Sequence, residues 1–146
     1  MKSQLVRLAL LALVFAPVLA APVAQAAVAT KPESALIRAV NAARAERGLA
    51  PLRASPQLRA DARFLARSIL DQDSFAVGKL PQGVAENRFW RAGRPDADAI
   101  VRAWRANKNA RENLFSPGAK RIGIGILVGP FHGNDKVVVA IARFSS

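Results

Sequence analysis

The apolar positions of the chain follow a helical period in its first two thirds and an alternating period near its end. The first helical stretch begins at a capping-box pair, Thr30 and Glu33, and stops before Gly48. The apolar face of this predicted helix consists of Leu36, Ile37, Val40 and Ala43. A second helix is predicted to start at Ser55 and Pro56 and to end near Asp71. Proline is favourable at this start because the N–H that it lacks would have no partner within the first turn.

The second helix carries two different faces. Arginines 59, 63 and 67 repeat every four residues, which is typical of a solvated face or, alternatively, of an anion-binding ridge. The opposite, buried stripe is predicted to contain Leu58, Ala62, Leu65, Ala66 and Ile69. A third helix is predicted after Asp96, with Ile100, Ala103 and Trp104 facing the core, and a short helical turn is expected at 111–115.

The remaining segments differ in character. Residues 72–94 contain four glycine or proline breakers and are predicted to be irregular. Isoleucine alternates with Gly123 and Gly125, and a β-branched run follows at 137–144. These two segments predict an antiparallel hairpin with a loop at 129–135. The two glycines suggest that a helix packs closely across the sheet. Helices first and strands last indicate an α+β layered domain.

The first 26 residues have the pattern of an export signal. Two bases, Lys2 and Arg7, precede an apolar stretch, and Ala24-Gln25-Ala26 is a small-residue cleavage pattern. We therefore divide the chain into a cleaved signal (1–26), a flexible leader (27–33) and a single domain (34–146). The alternative is an uncleaved anchor, but the apolar run is short for a span. No later stretch is long enough to cross a bilayer, so no transmembrane segment is expected after cleavage.

Composition narrows the chemistry. The net charge is +12, and removal of the predicted signal leaves +10, which suits anionic partners but also fits arginines that merely solvate helices. The chain has no cysteine, which excludes thiol catalysis and thiolate metal sites and suggests a bacterial exported protein. Its only histidine, His132, lies in the predicted hairpin loop, and no motif supports a serine triad around it.

Several short motifs occur in order along the chain. They are Val40-Asn41-Ala42-Ala43-Arg44, Gly48-Leu49-Ala50-Pro51-Leu52, Ser55-Pro56-Gln57-Leu58, Ala85-Glu86-Asn87, Ala103-Trp104 with Arg111-Glu112-Asn113-Leu114, and Ile122-Gly123-Ile124-Gly125. Together they resemble the CAP superfamily of cysteine-rich secretory, antigen 5 and pathogenesis-related proteins. The resemblance covers residues 34–144 and implies an α-β-α sandwich whose hairpin is extended into a small sheet by strand pieces from the 75–90 region.

The family's usual site is a cleft with two histidines and acidic residues that holds a divalent metal in some members. This chain has Ser74, Phe75 and Ala76 near the first histidine position and Ala110 at the second. Only Glu86 remains, and one carboxylate is too few donors for a transition metal, so no metal and no cofactor are expected. Glu86 is interpreted as a partly buried structural carboxylate that accepts backbone N–H bonds near a turn.

The segment around Trp90 is the most suggestive surface element. Aromatic rings flanked by guanidinium groups suit stacking on sugars, bases or lipid head groups. The alternative is that Phe89 and Trp90 close the core over the long loop. The candidate ligand-binding residues are Glu86, Asn87, Arg88, Phe89, Trp90 and Arg91. Structural roles are assigned to the core residue Trp104 and to three residues expected to bond to loop backbone, Asn41, Arg44 and Asn113.

The favoured hypothesis is an exported, periplasmic or secreted, non-catalytic binding protein. Its expected partner is an anionic lipid, glycan or other envelope polymer, with no specific nucleic acid. The alternatives are a cryptic hydrolase that acts on cell-wall or peptide substrates through Glu86 and a scaffold for a protein partner. Glu86 is the first candidate for a catalytic role, and Glu112 is its best candidate partner. The sequence leaves the oligomeric state open.

Overall fold

A computed structural model describes residues 29–146. The predicted signal and the first residues of the predicted leader lie outside this range. Within it, none of the helices is long and apolar enough to cross a membrane.

Four helices form where the sequence supplies caps. They are α1 (Lys31–Ala45), α2 (Pro56–Asp71), α3 (Ala97–Ala106) and α4 (Lys108–Leu114). Thr30 closes the capping box with Glu33, while Ser55 and Asp96 accept N–H bonds at the starts of α2 and α3, as predicted. Two expectations need correction. The last helix starts at Lys108, earlier than predicted, because Asn107 caps it, and Ala103 is exposed because the buried side of α3 is rotated toward Val101.

The four strands form one mixed sheet. They are β1 (Arg53–Ala54), β2 (Val84–Ala92), β3 (Arg121–Phe131) and β4 (Asn134–Ser145), in the spatial order β1-β3-β4-β2. β1 pairs parallel with β3, while β4 pairs antiparallel with both β3 and β2. The C-terminal hairpin is confirmed, and the added strand β2 agrees with what the family resemblance implied.

The structure of two segments differs from what their residues alone predicted. Part of the segment 72–94, predicted to be irregular, is strand β2, whose pairing with nine residues of β4 overrides its glycine and proline flanks. The hairpin loop is also shorter than 129–135. Phe131 already pairs with Asn134, and His132 and Gly133 form a two-residue turn with φ values of 48° and 77°. Positive φ at both positions matches the right-handed twist of the strands.

The sheet separates two layers of helices, which gives the predicted α-β-α sandwich. Helix α2 packs on one face against Val137, Val139 and Ile141, and helices α1, α3 and α4 cover the other. Gly123 and Gly125 face α2 so closely that a Cβ at either position would overlap the backbone of the helix. The predicted close approach of a helix is therefore confirmed.

Buried charges tie the start of α1 to this sandwich. Residues 31–33 belong to α1 rather than to the flexible leader predicted at 27–33, because the Glu33 carboxylate is buried and bonded to Arg63 on α2 at 2.5 and 2.8 Å. It also accepts the N–H of Ile126 on β3. Burial alone would raise the pKa of Glu33, but the bonds from Arg63, Thr30 and Ile126 outweigh it and hold the pKa below 4.5.

The arginine series on α2 does not form one solvated face. Arg67 is exposed, Arg63 is bound to Glu33, and Arg59 is buried. The backbone of α2 lies directly against Gly123 at Leu58 and Arg59.

Candidate functional site

Strand alternation divides the predicted ligand-binding residues between the two faces of the sheet. Successive side chains of a strand point to opposite faces. Glu86, Arg88 and Trp90 therefore lie on the α2 face, while Asn87, Phe89 and Arg91 lie on the opposite face. The contacts agree, since Trp90 packs on the α2-side residue Phe131 and Phe89 packs against the other core. The six residues adjacent in sequence do not form one surface.

Glu86 is enclosed by two guanidinium groups. Its Oε1 accepts a bond from Arg88 Nε at 2.7 Å and its Oε2 accepts one from Arg143 Nε at 2.8 Å, and only 6% of its side chain is exposed. Arg88 also donates to the carbonyl of Phe75. The interpretation of Glu86 as an acceptor of backbone N–H bonds near a turn is therefore wrong, because it lies within β2 and its partners are side chains.

The other carboxylate considered for catalysis lies elsewhere. Glu112 is exposed on α4 and forms an i,i+4 ion pair with Lys108 at 2.7 Å. This pair holds the pKa of Glu112 below its usual value.

Side chains from α3 and α4 attach to the outer edge of β2. Trp104 donates its indole N–H to the carbonyl of Arg88, and Asn113 donates to the carbonyl of Glu86 and to the side chain of Asn87. Asn87 is buried and donates to the carbonyl of Ala110. These bonds satisfy edge carbonyls that would otherwise lack partners.

A cavity of about 350 Å³ lies between this edge and the two helices. Its lining includes Ala110, the position where the family resemblance implies a second histidine. The other lining residues are Ala103, Trp104, Asn107 and Asn109 and the strand residues 86–89. The cavity is therefore lined by amide and apolar groups on its helical side, where the family pattern would place an imidazole.

Phe75 lies near the position where the family resemblance implies the first histidine. Phe75 packs edge-on against Phe131, with ring centroids 6.2 Å apart. Within residues 29–146, no three His, Cys, Asp or Glu side chains come together in a group that could hold a metal ion. Glu86 offers a single carboxylate, and each of its oxygens accepts a bond from an arginine. This donor set does not fit the divalent metal that the family resemblance implies.

An aromatic cluster ends in a partly exposed tryptophan. Trp90 is 42% exposed, and its ring lies edge-on to Phe131 at 5.2 Å and to His132 at 5.8 Å. The His132 ring stacks flat on Phe131 at 4.1 Å, and its backbone N–H donates to the Asp73 carboxylate. Aromatic pairs in this range stabilise one another and fix ring orientation. We call Trp90, Phe131 and His132 the aromatic platform.

Cations lie next to the platform in sequence. Arg91 and Arg94 are both exposed, and the guanidinium of Arg91 is 4.0 Å from Asp96, so its contact with that carboxylate is loose. Arg88, by contrast, is bound to Glu86 and to the carbonyl of Phe75.

Asn41 and Arg44 on α1 bond to loop backbone. The amide of Asn41 bonds to both the N–H and the carbonyl of Leu52. Arg44 is buried and donates to the carbonyls of Ala50, Leu114 and Ser116, which joins the segment after α1 to the end of α4. Burial lowers the pKa of Arg44 below its usual value.

Sequence reasoning missed three residues of this region. Arg143 partners Glu86 across the strands, and Phe131 and His132 support Trp90. A signal for Arg143 was present, because alternation in the run 137–144 places residue 143 on the same face as Val137, Val139 and Ile141, where a charge requires a partner. The platform had no such signal, since the pairing of β2 with β4 creates it.

The comparisons with known proteins agree on one family. The sequence model described as the cysteine-rich secretory protein family, CAP, matches residues 37–142. A search of the curated proteins finds no match.

Solved structures with the same fold have low sequence identity. An extracellular protein containing an SCP domain from Bacillus anthracis is 18% identical with a TM-score of 0.60, covering 78% of this chain and 40% of its own. An outer surface protein of Borrelia burgdorferi is 17% identical with a TM-score of 0.61, covering 82% of this chain and 96% of its own. A venom allergen-like protein of Schistosoma mansoni is 12% identical with a TM-score of 0.60, covering 80% and 89%. The chain thus spans well under half of the Bacillus protein.

Proposed function

Since the chain belongs to the cysteine-rich secretory protein family, we propose that it is an exported, non-catalytic binding protein of the periplasm or the extracellular medium. Its ligand is an anionic or amphipathic component of the cell envelope, such as a lipid head group or an acidic glycan. The signal at 1–26 and the single domain at 34–146 are parts of this proposal. The observation that carries it is the exposed ring of Trp90, held by Phe131 and His132.

The platform has the chemistry of a stacking surface. A large aromatic ring that is fixed by neighbouring rings but partly open to solvent loses little conformational freedom when a sugar or head group packs on it. The excess of bases over acids attracts anions to the protein over longer distances. Both features favour an anionic ligand with one flat or apolar surface.

The surroundings of Glu86 favour binding over hydrolysis. A general acid or base must reach the reacting group with a free oxygen. Both oxygens of Glu86 are bonded to arginines, and its side chain is buried. The hydrolase hypothesis would require these bonds to open.

The test compares two exposed side chains of similar accessibility. Trp90→Ala removes the platform, whereas Val128→Ala removes a 45% exposed side chain of β3 as a control. Co-sedimentation with lipopolysaccharide and with phosphatidylglycerol vesicles is measured at low and at physiological salt. We expect Trp90→Ala to weaken binding about tenfold, the loss of one stacking contact, and Val128→Ala to leave it unchanged.

Two results would contradict the proposal. One is wild-type protein that binds neither probe at low salt, and the other is equal binding by the two variants. Binding that disappears completely at physiological salt would indicate charge alone rather than stacking. Cell-wall or peptide hydrolysis that Glu86→Gln abolishes in a folded protein would favour the enzyme instead.

A further inference from the structure

Two arginines lie side by side at the end of the sheet opposite the hairpin turn. In the parallel pairing of β1 with β3, Arg53 is the direct partner of Arg121. Both side chains are exposed, and exposed Lys120 directly precedes Arg121. Like charges at directly opposed strand positions repel each other and destabilise the pairing. We call Arg53, Lys120 and Arg121 the basic cluster.

No Asp or Glu of the described residues forms an ion pair with this cluster. The segments that build it, 47–60 and 113–134, contain no Asp or Glu. Among residues 29–146, the ion pairs involve other arginines and lysines and none of these three. By contrast, a carboxylate lies within 2.7 Å of four other cations, Arg63, Arg88, Arg105 and Lys108.

The cluster also lies at the positive end of a long helix. Strand alternation places Arg121 on the same face as Gly123, against which Leu58 of α2 packs. Because Arg53 is in register with Arg121, it lies on this face too. Helix α2 begins at Pro56, three residues after Arg53, and its dipole adds partial positive charge there. Two exposed arginines in register therefore lie on the face of the sheet on which α2 begins.

We propose that the basic cluster is a binding site for a phosphate group. Guanidinium groups present paired N–H donors that match phosphate oxygens, and a phosphate between Arg53 and Arg121 would remove the repulsion that the register imposes. This site is separate from the aromatic platform, which lies toward the hairpin turn at the other end of β4. The two proposals can therefore fail independently.

The experiment uses pyrophosphate as the probe and a charge-matched control. Calorimetric titration at low salt compares the wild type with Arg53→Gln/Arg121→Gln and with Arg38→Gln/Arg67→Gln. The control pair removes the same charge from exposed positions on α1 and α2. We expect the first double variant to lose about tenfold or more in affinity, because two charge-assisted contacts are removed, and the control to change less than about twofold.

Thermal unfolding separates a ligand site from a structural role. Without pyrophosphate, Arg53→Gln/Arg121→Gln is expected to unfold at the same temperature as the wild type or higher, because the like-charge contact is relieved. With pyrophosphate, the midpoint should rise for the wild type and the control but not for this variant. No binding by the wild type, equal losses in both double variants, or a lower midpoint for Arg53→Gln/Arg121→Gln alone would overturn the proposal.

A second arm identifies the source of the phosphate. Vesicles that contain phosphatidic acid are compared with phosphatidylcholine vesicles for the same three proteins. Binding to phosphatidic acid that only Arg53→Gln/Arg121→Gln loses would assign a lipid head group. Binding of pyrophosphate without binding to these vesicles would assign a soluble phosphate. Trp90→Ala is expected to bind pyrophosphate as the wild type does.

Discussion

Glu86 of β2 and Arg143 of β4 are direct cross-strand partners, and their side chains meet at 2.8 Å with only 6% and 7% of each exposed. Arg88 completes the group from the next position on the same face of β2. Glu86 thus holds an edge strand to the sheet. A buried carboxylate bonded to two arginines is a structural group, since its charge is needed to neutralise theirs.

Replacement of Glu86 should therefore destabilise the fold. Glu86→Gln leaves the buried Arg143 without a counter-charge, which is expected to cost about 3 kcal/mol in the free energy of unfolding. Urea denaturation measures the difference. Glu112→Gln is the control, because its exposed pair with Lys108 is expected to contribute less than about 0.5 kcal/mol. Equal stabilities of the two variants would show that Glu86 has no structural role.

The two sheet glycines should not tolerate a methyl group. Gly125→Ala places a Cβ against the backbone of Ala62 and Arg63, so α2 must move away from the sheet. Overpacking of this kind is expected to cost about 3 kcal/mol. Gly118→Ala, where a Cβ would make only an ordinary contact with Ser116, should change the free energy of unfolding by less than about 0.5 kcal/mol. An unchanged unfolding midpoint in Gly125→Ala would mean that the helix lies farther from the sheet.

Acid should weaken the protein through Glu33. The folded-state pKa of this carboxyl lies below 4.5, so its contribution to stability is fully present above that pH and is lost as the pH falls through the folded value. The free energy of unfolding, measured from about pH 7 to about pH 3, should therefore decline below about pH 4.5. Glu33→Gln should be less stable at neutral pH and should show a shallower decline. Parallel curves for the two proteins would contradict this assignment.

Arg44 should be required for the contact between α1 and the end of α4. Arg44→Met removes the donor for three carbonyls, those of Ala50, Leu114 and Ser116, and is expected to cost about 3 kcal/mol, since buried acceptors then lack partners. Arg47→Met, one turn later on the surface, removes only a contact over the Phe115 ring and should cost about 0.5 kcal/mol. Chemical denaturation of both variants provides the measurement. Similar losses in the two would count against a special role for Arg44.

Local sequence signals located most of the elements. Capping residues marked the starts of α1, α2 and α3, and alternation marked the C-terminal hairpin. The residues alone did not predict strand β2, because its formation depends on pairing with β4, about fifty residues later in the chain. The family resemblance, which reflects the whole fold, did imply a strand there. The same long-range pairing separated the ligand-binding residues that the sequence placed together.

The sequence by itself determined the helices, the hairpin and the absence of thiols, because these depend on residue type and on spacing within one element. Only the tertiary structure decided the partners of each charge. Glu86 meets Arg143, Glu33 meets Arg63, and Arg53 meets Arg121 through strand register and helix packing. Register is a relation between distant segments, so whether a charge is neutralised, buried or left facing a like charge cannot be read from its neighbours along the chain.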